Sequence, residues 1–255
     1  MDMGVVASDD VPDVLAAGNA DVAFAVFSMS ARAADGDDDG YLEWHMLDHL
    51  PEQYRIDGLR LGQRWFSTDA CRGARAASAP PYDDVDHVVG YLFGGPVDPA
   101  LDVFFELGAS LHRSGRMPVA LPRVQVGGWE AVDRVAAPRV LAGADVIPWR
   151  PQRGVYLIVE SCDDTADADP GLEQLIDVPG VAGLWQYRDG HGHHPRLEPC
   201  EGLRLVVCYL DDEPVGVAGL VAELLAARWQ DPAITPLLAA PFEVVTPFSW
   251  ERRER

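Results

Sequence analysis

The chain has 255 residues, 48% of them hydrophobic and 24% charged, with 41 acidic against 20 basic residues and a formal net charge of −21. These are globular proportions at a length that suits one large domain or two small ones. All 20 basic residues are arginine, which excludes a lysine Schiff base, a P-loop lysine under a phosphate and a Ser/Lys nucleophile pair, and the acidic excess argues against nucleic acid or anionic membrane as a partner.

No apolar run reaches the roughly 18 to 20 residues of a membrane span. Met1 to Asp13 carries acids where a signal peptide has a basic region before an apolar run. Cys71, Cys162, Cys200 and Cys208 stand at irregular spacings without a CxxC pair, which predicts reduced thiols in a cytoplasmic protein.

After a tail over 1–18, strands are expected at 21–30, 61–68, 87–93 and 123–129, all rich in β-branched or aromatic residues. Between them, 40–54 sets Leu42, Met46, Leu50 and Tyr54 on one helical stripe. The segment 98–113 repeats apolar residues at Leu101, Phe104, Phe105, Leu107 and Leu111, with Asp98-Pro99 as N-cap and first-turn proline. A linker over 136–152, carrying Pro138, Pro148 and Pro151, leads to a second series. Its strands are expected at 154–160, 183–188, 204–210 and 242–245, and its helices at 172–177 and 217–229.

The two series align as an internal repeat. Val89-Gly90-Tyr91-Leu92 falls on Val207-Cys208-Tyr209-Leu210 at an offset of 118, which also takes Val124-Gln125-Val126 onto Phe242-Glu243-Val244. An offset of 122 places Gly58-Leu59 on Gly180-Val181, and 132 aligns 23–27 with 155–159. Each copy reads βαββαβ, the ferredoxin-like motif, so the expected class is α+β with two ferredoxin-like repeats, 19–135 and 153–250. Such a unit leaves one sheet face bare, and the second copy is its simplest cover. The pair would close a pseudo-dimeric eight-stranded α/β barrel with room for side chains or one small ligand. The expected state is a monomer with an internal pseudo-dimer, at most a weak homodimer.

His45 and His49 lie four apart on the first helix, off its apolar stripe. The spacing fits a general acid or base at the barrel mouth, since imidazole titrates near neutral pH. It fits equally two surface histidines, or His49 capping the helix end. A metal reading would add Glu43 or Asp48 and the segment His191-Gly192-His193-His194, but that segment reads as an exposed turn, and no metal site is expected. In the strand after Gly58, Gln63, Trp65 and Ser67 share one face. Trp65 with Gln63, matched by Tyr187 and Trp185 through the repeat, would form an aromatic wall inside the barrel, although the same aromatics could fill a core. Tyr91 and Tyr209 recur at aligned positions and suit either reading.

The run Tyr41-Leu42-Glu43-Trp44-His45-Met46-Leu47-Asp48-His49-Leu50-Pro51 and the later Gly58-Leu59 resemble the EthD-like branch of the dimeric α/β-barrel superfamily, with its aromatic-rich first helix and His-x-Pro end. The match is architectural over most of the chain and motif-level over about twenty residues of copy one. The resemblance implies a small apolar or aromatic ligand, ranks His49 above His45 and adds Trp44 to Gln63, Trp65, Tyr91, Trp185 and Tyr187 as ligand-contacting candidates. Relatives include cofactor-free monooxygenases, polyketide cyclases, haem-handling enzymes and stress-response proteins. The expected function is therefore a cofactor-free oxygenase or cyclase using a histidine proton shuttle, or a non-catalytic ligand-binding barrel. Copy two lacks a helical histidine, so a single site is expected, with polar chemistry from copy one and wall residues from copy two. GxGxxG, Walker, GxSxG, HExxH and EF-hand motifs are absent.

Overall fold

A computed structural model describes residues 21–117, 120–163 and 167–246. The expected tail over 1–18 and the end of the second repeat beyond 246 lie outside the described residues. The nine strands are β1 (Phe24–Ser30), β2 (Leu59–Phe66), β3 (Ala77–Ser78), β4 (His87–Phe93), β5 (Arg123–Ala136), β6 (Gly154–Cys162), β7 (Val181–Asp189), β8 (Leu203–Leu210) and β9 (Ile234–Val244). They form one sheet of antiparallel ladders in the order β2-β4-β1-β5-β7-β8-β6-β9-β3. Strand β9 also pairs with β2, through Trp65↔Val244 and Phe66↔Glu243, so the order closes into a ring. Each half of the chain has its fourth strand beside its first, then its third and second: β5-β1-β4-β2 and β9-β6-β8-β7.

A similar hydrogen bond follows a glycine turn in each half of the chain. Gly58 and Gly180 each adopt positive φ, 97° and 93°, a conformation that glycine takes without steric cost. The carbonyl of Gly58 accepts from Gly94 N, and that of Gly180 from Asp211 N. Residues 94 and 211 differ by 117, one less than the expected 118. A slip of one residue turns every side chain to the other face of a strand. Tyr91 therefore packs outside the ring with Phe93 and Leu101, whereas Tyr209 packs inside it with Trp185 and Phe242, and the alignment of the two tyrosines is corrected.

The ring interior is filled. Phe27, Met29, Trp65, Trp129, Trp185, Tyr187, Tyr209 and Phe242 are all buried in one cluster. Truncating one such aromatic typically costs 3–5 kcal/mol, because a close-packed interior relaxes only partly. The segment between β5 and β6 seals one end as a 3₁₀ turn, Ala144–Trp149, with Ile147 in the cluster. Trp185 Nε1 donates to Ala144 O at 2.9 Å, and Gln63 Nε2 to Pro148 O at 2.6 Å.

Outside the ring, helices cover the two half-sheets. The first helical segment runs as α1 (Asp38–Trp44), a π turn (His45–His49) and α2 (Leu50–Gln53). Asp37 caps it by accepting from Gly40 N at 2.9 Å. A short helix, α3 (Asp69–Gly73), follows β2, and α4 (Val97–Arg113) starts one residue before Asp98, with Pro96 at the cap position. In the second half, α5 (Pro214–Arg228) packs with Leu172 and Leu175 over Tyr156, Val206 and Cys208. The expected helix at 172–177 is a 3₁₀ segment, Pro170–Asp177, and the last strand begins at Ile234, eight residues before the expected 242.

Candidate functional site

The π turn makes the site. Leu50 N donates to His45 O, five residues back, in place of the usual four, and the extra residue in that turn re-aims the side chains around it. Leu42, His45, His49, Leu50 and Gln53 all become buried. His45 is 2% exposed and His49 8%, which rules out the surface-histidine reading.

Both rings line a cavity of about 530 Å³ between the outer face of the first half-sheet and helix α4, a volume typical of small-molecule sites. Strands β1, β4 and β5 supply Val26, Ser28, Val89, Tyr91 and Val126, and α4 supplies Phe104, Phe105, Gly108 and Ala109. A Cβ on Gly108 would meet nothing within 4 Å, so the small residues of α4 leave this space open.

The polar floor is a chain of rings. His45 Nε2 lies 3.0 Å from Tyr91 Oη, and Gln53 Nε2 lies 3.1 Å from His49 Nε2. The two imidazoles are 5.4 Å apart between centroids, and Trp44 lies 5.0 Å from His49. With Gln53 donating to Nε2, neutral His49 carries its proton on Nδ1. The Nδ1 atoms of His45 and His49 are both buried without a hydrogen-bond partner.

Electrostatics keeps the pair uncharged. Burial, then the nearby Arg64 guanidinium, lowers His49 from 6.5 to about 4. The same two causes, in the same order, hold His45 well below its ordinary value. Burial pushes the Tyr91 phenol up, so it remains an O–H that can donate to His45. The expectation of an imidazole titrating near neutrality is corrected: desolvation disfavours the imidazolium.

Of the candidates, Trp44, His45, His49 and Tyr91 meet at this cavity. Trp65, Trp185 and Tyr187 do not; they belong to the packed ring interior, and Gln63 faces the same interior. The expected site inside the ring is thus corrected to the opposite face of the first half-sheet. The second half contributes Arg196 to the lining in place of an aromatic wall. Gln53, Phe104, Phe105 and Gly108 complete the site and were not anticipated.

The metal reading finds no support at the histidine pair. Asp48 is engaged by Arg116 at 2.7 Å, and Glu43 is exposed. Among the described residues, the group whose ligand atoms converge is Asp189, His191 and Glu201, without His193 or His194. Those two pack against the first half: His193 lies 4.9 Å from Phe24 and His194 stacks on Phe105 at 4.3 Å. The expected exposed turn is a docked 3₁₀ turn, His191–His193.

No helix among the described residues is long and apolar enough to cross a membrane. No family model and no curated protein matches the chain. Solved structures do match. A provisionally designated monooxygenase from Fusobacterium nucleatum superposes with a TM-score of 0.49 at 9% identity, covering 88% of this chain and 92% of its own. A mutant chlorite dismutase from Candidatus Nitrospira defluvii, in complex with cyanide, gives 0.49 at 9%, covering 94% of this chain and 97% of its own. A provisionally designated chlorite dismutase gives 0.54 at 15%, covering 91% of this chain and 99% of its own. The last likeness shows that this chain shares the mixed α+β fold of that protein.

Proposed function

We propose that the chain is a tandem duplication of a ferredoxin-like unit, with halves at 19–135 and 153–250 joined by 136–152, closing an α/β barrel of the EthD-like kind in one polypeptide. The shared strand order of the halves and the matched bonds at Gly58 and Gly180 support this reading. The protein binds a small, largely apolar aromatic or polyketide-like ligand in the cavity under α4. It acts there as a cofactor-free oxygenase or cyclase, with His49 moving a proton.

The observation that carries the proposal is the buried histidine pair lining a 530 Å³ cavity with both Nδ1 atoms unpartnered. Buried polar atoms are normally satisfied, and one left without a partner beside a cavity suits a ligand group. Aromatic side chains at Trp44, Phe104 and Phe105 offer faces for a planar ligand. A ring C–H made acidic by neighbouring hydroxyls could pass its proton to His49 Nδ1 once the imidazole takes the Nε2–H tautomer and the Gln53 amide turns its Oε1 to accept from Nε2, while the charge left on the ligand offsets Arg64.

Deuterium exchange into the ring of 1,3-dihydroxynaphthalene, followed by proton NMR in D₂O, tests the chemistry without a known substrate. The protein should accelerate exchange by a factor on the order of 100 over buffer, the low end of general-base contributions, and His49→Ala should remove the gain. Gly108→Phe should remove both exchange and binding by filling the cavity. Binding without acceleration would leave the second reading, a non-catalytic ligand-binding protein, which the low proton affinity of His49 in the free chain favours.

A further inference from the structure

The cavity reverses the charge of its chain. Against 41 acids and 20 arginines overall, its lining side chains among the described residues include Arg123 and Arg196 and no carboxylate. A third arginine lies behind the floor. Arg64, on β2, is 1% exposed, and its guanidinium sits over the Tyr41 ring at 4.4 Å. Nη2 donates to His87 Nδ1 at 3.4 Å, while Nε and Nη1 have no partner. The acid that reaches this group, Asp38, is one residue removed: it accepts from His87 Nε2 at 2.8 Å. Asp38 thus offsets the arginine only through a neutral imidazole.

A buried cation without a contacting carboxylate is costly, and the second half avoids it. Arg64 pairs with Val89, and the residue in the same register, paired with Val206, is Gln186. Gln186 is neutral and saturated: Oε1 accepts from Asp169 N at 2.9 Å, and Nε2 donates to Asp169 O at 3.0 Å and Asp133 Oδ2 at 3.2 Å. The face it occupies is filled by Leu172, Leu175 and Leu225. The unsaturated cation is thus found in the half that opens a cavity.

We propose that the cavity is built for an aromatic oxyanion: the planar body lies along Trp44, Phe104 and Phe105, and the negative group receives the histidine N–H donors in the field of Arg64. Arg196 stands at the rim as a steering charge, beside Arg123, which is shared with Glu198 at 3.7 Å. Arg64 acts here through the histidines as a positioning residue. This rests on the proposed function, because it takes the cavity to be a site for an aromatic ligand. Its chemical content is separate: the ligand's acidic group enters ionised.

Titration calorimetry with 2-naphthoate and its neutral isostere 2-naphthamide tests it. The wild-type chain should bind naphthoate at least tenfold more tightly. Arg64→Gln, the residue of the second half, should bring the two within about twofold by weakening naphthoate far more than naphthamide, and Arg64→Lys should restore a preference. A merely structural role would weaken both probes together. Should Arg64→Gln fail to fold, Arg123→Gln/Arg196→Gln at the exposed rim should lower the naphthoate-to-naphthamide ratio by itself. Equal binding of both probes by the wild-type chain, or a preference that survives Arg64→Gln, overturns the oxyanion proposal and leaves the aromatic cavity standing. Failure of both probes to bind, with Gly108→Phe indistinguishable from wild type, overturns the cavity reading itself.

Discussion

The burial of His49 predicts how the chain responds to acid. In the unfolded chain its imidazole titrates at 6.5, and in the folded protein at about 4. Above 6.5 the ring is neutral in both states and contributes no pH dependence. Between 6.5 and about 4 the unfolded chain takes up a proton that the folded chain refuses, so stability falls as the pH falls; below about 4 this loss levels off. At 1.36 kcal/mol for each pH unit between the two values, the loss is about 3 kcal/mol. His45, lowered by the same burial and the same arginine, adds to it in the same direction. Carboxylates paired to arginines also lose stability in acid, and His193, where burial is the largest single effect and lowers the ring but the hydrogen bonds and charges of Asp98 and Glu130 together raise it, contributes with the opposite sign. These contributions are common to wild type and variant and cancel in the difference. Urea unfolding of wild type and His49→Gln at pH 7, 6, 5 and 4 therefore isolates the ring: the wild-type free energy should fall by about 3 kcal/mol more than the variant's. Parallel curves would refute the buried, neutral imidazole, and with it the π-turn geometry that places it.

Three further outcomes follow from the same packing. Gly90→Ala should destabilise the chain by about 1 to 2 kcal/mol, since overpacking costs more than a strand glycine's flexibility; the new Cβ would sit 2.9 Å from Phe27 and 3.1 Å from Trp65 in the ring interior. A stabilised variant in guanidinium melts would mean that the interior is open. Glu160→Gln should cost about 3 kcal/mol or more by urea midpoint, because Glu160, fully buried, accepts from Arg228 at 2.8 Å and Trp229 at 2.7 Å; a loss below about 1 kcal/mol would show that water reaches the pair. Incubation with haem should leave no Soret band, because Gln53 donating to His49 Nε2 places the ring proton on Nδ1, the atom a metal would need free; a stable band would reverse that tautomer.

The order of strands and helices was legible because it rests on periodicity, which local sequence carries. Register was not. Val-Gly-Tyr-Leu and Val-Cys-Tyr-Leu look alike at an offset of 118, yet the hydrogen bonds of Gly94 and Asp211 require 117, and a one-residue error exchanges inside for outside. The π turn carries no side-chain signature, so a regular helix left His45 and His49 off the buried face when the extra residue turns them inward. Trp44, His49 and Tyr91 nonetheless line one cavity, and aromatic and titratable residues like these stand out in any register. Two signals for the rest were present. Gly108-Ala109 interrupts an apolar helix face with small side chains, which leaves space under it, and Arg64 alternates with Trp65, so an arginine had to enter whichever layer the tryptophan left.

The asymmetry between the halves supports the proposed site better than any single residue does. Both half-sheets present an apolar outer face to a helix, and physical economy favours filling the layer between, as Leu172, Leu175, Val217, Val221 and Leu225 do in the second half. At corresponding places the first half substitutes features that lower stability. It carries a π turn for a compact 3₁₀ segment, Gly108 and Ala109 on the covering helix, two imidazoles with unpartnered nitrogens, and Arg64 for the saturated Gln186. Each of these costs free energy, and the proposed occupant, a flat molecule with a negative edge, would relieve them together. Local departures from good packing that concentrate in one layer, and share one remedy, mark a site under functional constraint.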